Sequence, residues 1–316
     1  MNYWLQRVGM AVLLLLAVSA LTFGAMNVLG DPLHNLLGPA ASQTDATSLE
    51  KVEQARAQYH LDDPLPIRYV KWLGDFVSGD FGVQFGSGGA PVADLLQERI
   101  PRTVMLLVMA QLLAALIAIP WALWSASKAN KPVDKLSTFS TFLIIALPNF
   151  ALGVILKYVF SVKFGWFPQR FIATDPFLDR VHQMFLPALT IALPAAAVYQ
   201  RLLRTDLITT LQEDFILMAR SKGVPRNAVL FKHALRPSLF SFVTVFGINT
   251  GALIGGALVV EQIFIIPGLG SAIVESIARE DFPVVLAIVM VVAVTFVVIN
   301  LLVDVVYSVI DPRVRR

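Results

Sequence analysis

The 316-residue sequence has no cysteine and few charged residues. Without cysteine it can hold no disulfide, no thiol nucleophile and no thiolate metal ligand. Asp, Glu, Lys and Arg together make only 15% of the positions, whereas hydrophobic residues make 56%. Because soluble globular domains carry about 25% charged residues, this composition predicts an integral membrane protein.

Signals for several kinds of site are also missing. The glycine-rich run 79–89 contains no lysine, and no Gly-Lys dipeptide occurs in the sequence, so a Walker A phosphate loop is not predicted. The four histidines are scattered without paired spacing, which argues against a metal site and against a membrane enzyme. The net charge is only +3, and the cations lie in short loops, so nucleic acid is not an expected partner.

What the sequence does contain is a series of apolar segments long enough to cross a bilayer as helices. Six such segments are predicted, at 8–29, 104–124, 136–160, 186–203, 238–260 and 283–307. We expect Pro120 to kink the second segment, and Pro187 and Pro194 to act as break points in the fourth. A cleaved signal peptide is the competing interpretation of the first segment, but its apolar run is longer than the usual signal-peptide core.

The charges of the loops predict the orientation of these segments. Acid-rich stretches at 31–98 and 275–281 alternate with basic stretches at 128–135, 204–236 and 313–316. Since basic loops stay in the cytoplasm, both termini are predicted to be cytoplasmic. The predicted organisation is an N-terminus with the first helix (1–29), an extracytoplasmic region (30–101) and a core of five transmembrane helices (102–316) that includes a cytoplasmic loop at 205–237.

That cytoplasmic loop contains a polar, basic island that predicts two short helices. Glu213 and Asp214 would meet the positive end of a helix dipole, and Arg220 and Lys222 the negative end. Gly223 is expected to end this helix in the left-handed conformation, and the proline two residues later to begin the next helix.

One face of the first of these short helices is apolar. Phe215, Met218 and Ala219 are spaced so that they share this face. The loop therefore predicts a small apolar knob, surrounded by charges, that is offered to another molecule.

In this sequence Ala219 is followed after three residues by Gly223, and after nine more residues by His233, with Leu235 two positions later. This spacing resembles that of the signature loop of ABC importer permeases. Leu217 and Met218 stand where the general pattern has Glu and Ala. Other short motifs are similar to the dipeptide and oligopeptide branch of that family. They are Gly-Asp-Pro at 30–32, Leu-Asp-x-Pro at 61–64, Tyr-x-x-Trp at 69–72, Gly-Asp-x-Gly at 79–82 and Glu-x-x-Phe-x-x-Pro-Gly-Leu-Gly at 261–270.

The resemblance implies an all-α integral membrane protein with six transmembrane helices of the type I ABC importer permease fold and a large extracytoplasmic loop after the first helix. It implies a permease subunit, not an enzyme, that imports di- or oligopeptides across a prokaryotic cytoplasmic (inner) membrane. Nickel, glutathione and oligosaccharide remain open as substrates. The chain itself would hold no metal or cofactor, because ATP and Mg would bind to partner subunits.

The implied partners are a second permease subunit in a heterodimer, two ATPase subunits or domains, an extracytoplasmic substrate-binding protein and membrane lipid. The resemblance assigns contact with the ATPase to the loop residues Glu213, Asp214, Phe215, Met218, Ala219, Arg220, Lys222, Gly223, His233 and Leu235. It assigns an outer gate loop to Glu261, Phe264, Pro267, Gly268 and Gly270.

The few polar side chains of the fifth apolar segment allow two interpretations. Thr244, Asn249 and Thr250 either line the translocation pathway or hydrogen-bond to neighbouring helices. Lys157 is open in the same way, as a side chain that reaches the membrane surface or as part of a transport site. A secondary transporter driven by ions would need carboxylates near the membrane midplane. Glu261 and Asp304 instead lie towards helix ends, which disfavours that alternative.

Gly223→Val should reduce transport while the protein still inserts into the membrane. A β-branched residue in the left-handed turn costs roughly 1 kcal/mol or more, and the strain should misplace the short helix before it. The measurement is uptake at equal abundance of the wild-type and variant proteins in the membrane. Normal uptake by the variant would contradict the coupling role of this loop.

Overall fold

A computed structural model describes residues 3–29, 63–85 and 89–310 of the chain, and these form helices joined by short turns. The predicted motif at 30–32, half of that at 61–64 and the basic stretch at 313–316 lie outside the described residues. In the described part the only strand-like feature is an isolated bridge between Val83 and Pro91. The helices are α1 (Tyr3–Leu29), α2 (Leu65–Ser78), α3 (Val92–Ser127), α4 (Pro132–Ala146), α5 (Asn149–Leu156), α6 (Phe177–Thr210), α7 (Asp214–Ser221), α8 (Arg226–Ala228), α9 (Leu235–Phe264), α10 (Leu269–Ala278) and α11 (Phe282–Ile310).

Two π-helical segments extend this series. The first, π1 (Lys157–Lys163), continues α5, and the second, π2 (Val229–Ala234), joins α8 to α9. Among the described residues, five helices are long and apolar enough to cross a membrane, and a sixth span is present if the bent pair α4 and α5–π1 is counted as one. The prediction of an all-helical membrane protein with six spans is confirmed on that count.

The third predicted span, 136–160, differs from the structure because it is broken. The two parts, Pro132–Ala146 and Asn149–Lys163, meet at an angle of 100°. Leu147 ends α4 in an extended conformation, with φ −78° and ψ 126°, and Pro148 precedes α5. A proline has no N–H and disfavours helical geometry in the residue before it. The helix accordingly ends at Ala146, and the residue before Pro148 is extended.

The prolines inside α3 and α6 do not interrupt these helices. Helix α6 continues through Pro187 and Pro194, which the sequence predicts as break points. Helix α3 likewise runs without interruption through Pro101 and Pro120, and it begins at Val92 instead of at the predicted residue 104. Prolines are tolerated inside membrane helices because neighbouring groups can satisfy the carbonyl that each proline leaves without a donor.

The chain forms two compact units, and the division between them falls within α3 and within α11. One unit comprises Met1–Pro101 and Gly268–Val298, and the other comprises Arg102–Pro267 and Ile299–Arg316. In the first unit, α1 packs against α2 through the Tyr-x-x-Trp motif. Phe23 lies 5.6 Å from the Tyr69 ring and 5.5 Å from the Trp72 ring, and the Tyr69 hydroxyl lies 2.7 Å from Ser19 Oγ. The motif spacing therefore puts both aromatic rings on the helix face that meets α1.

The Gly-Asp-x-Gly motif forms the turn that follows α2. Gly79 has φ +90° and Gly82 has φ +78°, which are values that glycine adopts without strain. The backbone N–H of Gly82 donates to Asp80 Oδ1 at 2.9 Å. Both glycines and the aspartate are thus explained by the geometry of one turn.

The second unit is built around α6. Alanines of α3 at four-residue spacing, Ala114, Ala118 and Ala122, are fully buried in a cluster with Ala192, Ala196, Tyr199, Leu203 and Leu207 of α6. Small side chains let membrane helices approach closely. The cluster continues through Phe242 of α9 to the loop that follows α6, so that loop is attached to the packed interior of the unit.

The glycine stripe predicted in the fifth segment has a clear partner at one position. A β-carbon at Gly247 would lie 2.7 Å from Val303 Cγ1 of α11, whereas a β-carbon at Gly255 would meet nothing within 4 Å. Close approach of another helix therefore requires glycine at 247 and leaves 255 unconstrained.

Gly247→Ala should destabilise the protein by about 1–3 kcal/mol, because the added methyl group overpacks a filled interface. Gly255→Ala is the matched control, since both changes gain the same helix propensity in the same helix. The midpoint of thermal unfolding in detergent should fall for Gly247→Ala alone and recover in Gly247→Ala with Val303→Ala. Equal midpoints for the two single variants would contradict the close contact.

Candidate functional site

The loop that resembles the permease signature occupies residues 211–225, and we call it the signature loop. It contains α7, which begins after Glu213, a residue in extended conformation. Gly223 has φ +80°, and its N–H donates to the Arg220 carbonyl at 2.9 Å. The predicted left-handed turn is therefore present. Pro225 precedes the first residue of α8 instead of occupying it.

One residue anchors α7 to the protein. Ile216 is fully buried, with 0% exposure, and belongs to the same cluster as Leu203 and Leu207 of α6. The cluster also contains Val229 and Ala234 of π2. The α7 helix is thus held between the end of the fourth span and the start of the fifth.

The other faces of α7 are open. Phe215 is 47% exposed, Leu217 51% and Met218 61%. Ala219, which the sequence places on the same face as Phe215 and Met218, is half-buried. The predicted charged residues around this apolar surface, Glu213, Asp214, Arg220 and Lys222, are all exposed.

The last two residues of the signature pattern lie elsewhere. His233 is half-buried in π2, and Leu235 is the first residue of α9. Leu235 packs against the buried cluster that contains Ile216. Leu235 therefore helps to support the loop, and neither residue belongs to α7, which carries the exposed apolar surface.

A buried ion pair involves α6, the helix that leads into the signature loop. Asp134, in the first turn of α4, is only 2% exposed. Its carboxylate accepts two hydrogen bonds from Arg204 of α6, from Nε and from Nη2, each at 2.6 Å. It also accepts from Ser125 Oγ at 2.6 Å and from the Asn130 backbone N–H at 2.9 Å. One carboxylate thus joins the end of α3, the start of α4 and the end of α6.

The residue that follows the signature loop contacts the end of α3. Arg226 Nη2 donates to the Ser127 carbonyl at 2.5 Å, and Ser127 is the last residue of α3. A third polar contact, between Thr210 Oγ1 and Ser238 Oγ at 3.2 Å, joins the end of α6 to α9. Both flanks of the loop are therefore tied to other helices.

Two of the three polar residues predicted for the pathway, Asn249 and Thr250, contact side chains of other helices. Gln111 Nε2 donates to Thr250 Oγ1, and the Tyr199 hydroxyl donates to Gln111 Oε1 at 3.0 Å. The Asn249 side chain also hydrogen-bonds to Tyr199. Thr244 donates to a carbonyl one turn earlier in its own helix. The contacts of Asn249 and Thr250 agree with the interpretation that these side chains bond to neighbouring helices. A role in the translocation pathway for the three residues stays a prediction.

The residues assigned to the outer gate loop divide between the end of one helix and the start of another. Glu261 and Phe264 belong to the last turn of α9, and both are buried. Glu261 accepts a hydrogen bond from Thr103 Oγ1 at 2.6 Å. The turn after α9 is held by Arg102, whose Nη1 donates to the Pro267 carbonyl at 3.1 Å.

The segment after the turn that follows α9 forms the helix α10 (Leu269–Ala278), which the sequence did not predict. Gly268 precedes α10, and Gly270 is a buried residue near its start. Arg99 Nη1 donates to Ser271 Oγ at 3.1 Å within the same unit. The turn between α9 and α10 comprises the four residues 265–268.

Lys157 has a definite partner at the end of α9. Its Nζ donates to the Ile263 carbonyl and lies 5.7 Å from the centre of the Phe264 ring. A cation is favoured at the C-terminus of a helix, where carbonyls lack intrahelical donors. These contacts explain a lysine in π1 by the capping of α9.

Comparison with known proteins assigns these features to a family. Residues 118–316 match the family model described as the binding-protein-dependent transport system inner membrane component. The oligopeptide transport system permease protein AppB of Bacillus subtilis (strain 168) is 39% identical over 318 residues, which cover 99% of each chain. This chain belongs to that family. It is the permease component of an ABC importer, and the resemblance to the dipeptide, oligopeptide and glutathione branch is confirmed.

A second relative and a solved structure agree with this assignment. The glutathione transport system permease protein GsiC of Escherichia coli (strain K12) is 36% identical to this permease over 316 residues, which cover 100% of this chain and 99% of the relative. A crystal structure of an amino acid ABC transporter with histidines matches with a TM-score of 0.53 at 15% identity. It covers 68% of this permease and 94% of the other chain. That likeness supports the type I fold alone.

Sequence reasoning did not find the ion pair between Asp134 and Arg204. A signal exists, because Asp134 is the only acid among Lys128, Lys131 and Lys135. An acidic residue in the first turn of a helix is already favoured by the helix dipole, so the position of Asp134 in the sequence gives no reason to expect a partner for it. Only the fold brings Arg204, seventy positions away in the chain, to the same carboxylate.

Ile216→Ala should release α7 from the permease, because truncating a buried aliphatic side chain costs roughly 2–5 kcal/mol. Leu217→Ala, next to it and exposed, is the matched control. Hydrogen exchange of the backbone amides in 214–221 should become faster in Ile216→Ala and stay unchanged in Leu217→Ala. Similar exchange in both variants would mean that Ile216 does not anchor the helix.

Proposed function

We propose that this permease imports short peptides and that α7 docks on a cytoplasmic ATPase, whose cycle of ATP binding and hydrolysis drives the import. The observation that carries this proposal is the arrangement of α7. It presents Phe215, Leu217 and Met218 outward while buried Ile216 fastens it to the bundle. An exposed apolar surface within a rim of charges is typical of a protein–protein contact.

The orientation in this proposal follows from charge. The turn between α3 and α4 carries three lysines, and the signature loop carries Arg220 and Lys222. Positive loops favour the cytoplasmic side, so α7 faces the compartment where ATP is available. Both termini are then cytoplasmic, and the opposite side receives substrate from an extracytoplasmic binding protein.

The partners complete the transport cycle. ATP and Mg bind to two ATPase subunits, and this permease pairs with a second, different permease chain. Closure of the ATPase pair moves α7, and the spans rock between inward-open and outward-open states as rigid bodies. The permease itself carries out no hydrolysis in this scheme.

The substrate class comes from the relatives. One is named as an oligopeptide permease and the other as a glutathione permease, and glutathione is itself a modified tripeptide. A short peptide is the chemistry that the two names share, so di- and oligopeptides are the proposed substrates of this chain.

Gentle affinity purification of the tagged permease from its native membrane tests this function. Mass spectrometry should find a second permease, an ATPase with Walker motifs and a binding protein. Peptide released from that binding protein would support the proposed substrate, and bound nickel or oligosaccharide would overturn it. Recovery of this chain alone, active in uptake driven by an ion gradient, would overturn the whole proposal.

A double change, Phe215→Ala with Met218→Ala, should weaken recovery of the ATPase. Truncating central apolar contacts costs roughly 2 kcal/mol or more in many interfaces, equivalent to about 30-fold in affinity. Ser221→Ala is the control, because Ser221 is exposed on the same helix and its hydroxyl donates only to the Leu217 carbonyl. Equal recovery of the ATPase with both variants would place the contact elsewhere.

A further inference from the structure

The chain reverses direction between α3 and α4 in a turn that we call the elbow, residues 125–134. Backbone N–H groups of Lys128 and Lys131 donate to the carbonyls of Ser125 and Lys128, each at 3.0 Å. Asn130 has φ +66°, a left-handed conformation that asparagine tolerates better than most residues. The elbow is therefore a compact, internally hydrogen-bonded turn.

Asp134 connects this turn to α6. Its four hydrogen bonds, two from Arg204, one from Ser125 and one from Asn130, use about all the acceptor positions of a carboxylate. A bidentate pair with Arg fixes the relative orientation of the two side chains as well as their distance. The elbow and the end of α6 are thus held in one geometry.

Arg226 makes the second connection, on the other flank of the signature loop. Its hydrogen bond to the Ser127 carbonyl joins the residue that begins α8 to the elbow. Arg204 precedes α7 in the chain and Arg226 follows it. The two cations therefore connect the elbow to both flanks of the signature loop.

The choice of a buried ion pair calls for a reason other than stability. Replacing such a pair by well-packed apolar residues is often neutral or stabilising. What an ion pair adds is a defined orientation, and here it holds α6, the helix that leads along the chain into the signature loop. An element that transmits motion needs that kind of fixed geometry.

We propose that Asp134 and Arg204 are positioning residues that make the elbow move as one body with the signature loop. A displacement of α7 would then reach α3 and α4 directly, in addition to α6 and α9, which continue from the loop along the chain. The inference rests on the proposed function, because it assumes that an ATPase moves α7.

Distances between spin labels test the inference directly. The chain has no cysteine, so Lys131→Cys in the elbow and Ser221→Cys in α7, both exposed positions, can be labelled specifically in this subunit. Pulsed electron paramagnetic resonance on the whole importer should give one narrow distance distribution, unchanged between the nucleotide-free state and a state trapped with a non-hydrolysable ATP analogue. A shift of the distance on trapping would show that the elbow and the loop move separately and would overturn the inference.

Asp134→Asn should loosen this connection without removing the side chain's volume. The same labels should then give a broadened distribution that differs between the two nucleotide states. Lys135→Ala is the matched control, because Lys135 is the next residue of α4 and is exposed. If Asp134→Asn does not insert, Arg204→Lys, which keeps the positive charge but loses the two-pronged contact with Asp134, tests the same pair with the same readout. Unchanged distributions in the variant that inserts would overturn the inference.

Coupling gives a second readout. Uptake of trialanine or glutathione per ATP hydrolysed should fall about tenfold in Asp134→Asn, a typical size for a lost coupling, while the ATPase still co-purifies and hydrolyses ATP. Lys135→Ala should behave as wild type. Failure of the ATPase to co-purify with the wild-type permease would reject the proposed function. Co-purification with equal coupling ratios in both variants would reject only the role of Asp134.

Discussion

The interior of a bilayer offers no water to hydrogen-bond with the peptide backbone, so each N–H and C=O must find a partner within the protein. This requirement makes the described part of the permease helical and concentrates its irregular backbone at a few breaks. The break at Pro148 is compact, with only two residues, Leu147 and Pro148, between α4 and α5. Polar side chains obey the same requirement, and Asp134, Glu261 and Gln111 each bond to a side chain on another helix.

The part of the permease around α7 combines a packed support with an exposed surface. Ile216 belongs to a cluster of small and aliphatic side chains that extends along α3 and α6, so α7 is fastened by packing. Arg204, which precedes α7 in the chain, and Arg226, which follows it, add polar contacts to Asp134 and to the Ser127 carbonyl. The outward side chains, Phe215 and Met218, are left exposed by the same arrangement. The proposed docking of an ATPase on α7 requires such a support, because a loosely held helix would move without moving the spans.

Short motifs were predicted from the sequence where their cause is local. Gly223 has the left-handed conformation expected of a glycine after a helix, and the Tyr69 and Trp72 spacing matches one face of α2. Prolines were less informative, because Pro148 breaks a helix whereas Pro187 and Pro194 do not. A proline removes the same donor at each position, so the outcome depends on the surroundings of the freed carbonyl, which a single sequence does not contain.

The sequence by itself determined the membrane class, the apolar segments, the signature loop and the family, because hydrophobic length, loop charge and motif spacing are properties of neighbouring residues. Only the tertiary structure decided which face of α7 is buried, what the polar residues of α9 contact and which cation meets Asp134. Those facts depend on residues far apart in the chain. Arg204 reaches Asp134 because α6 packs against α4, and pairing across helices follows from packing geometry, which leaves no local mark in the order of residues.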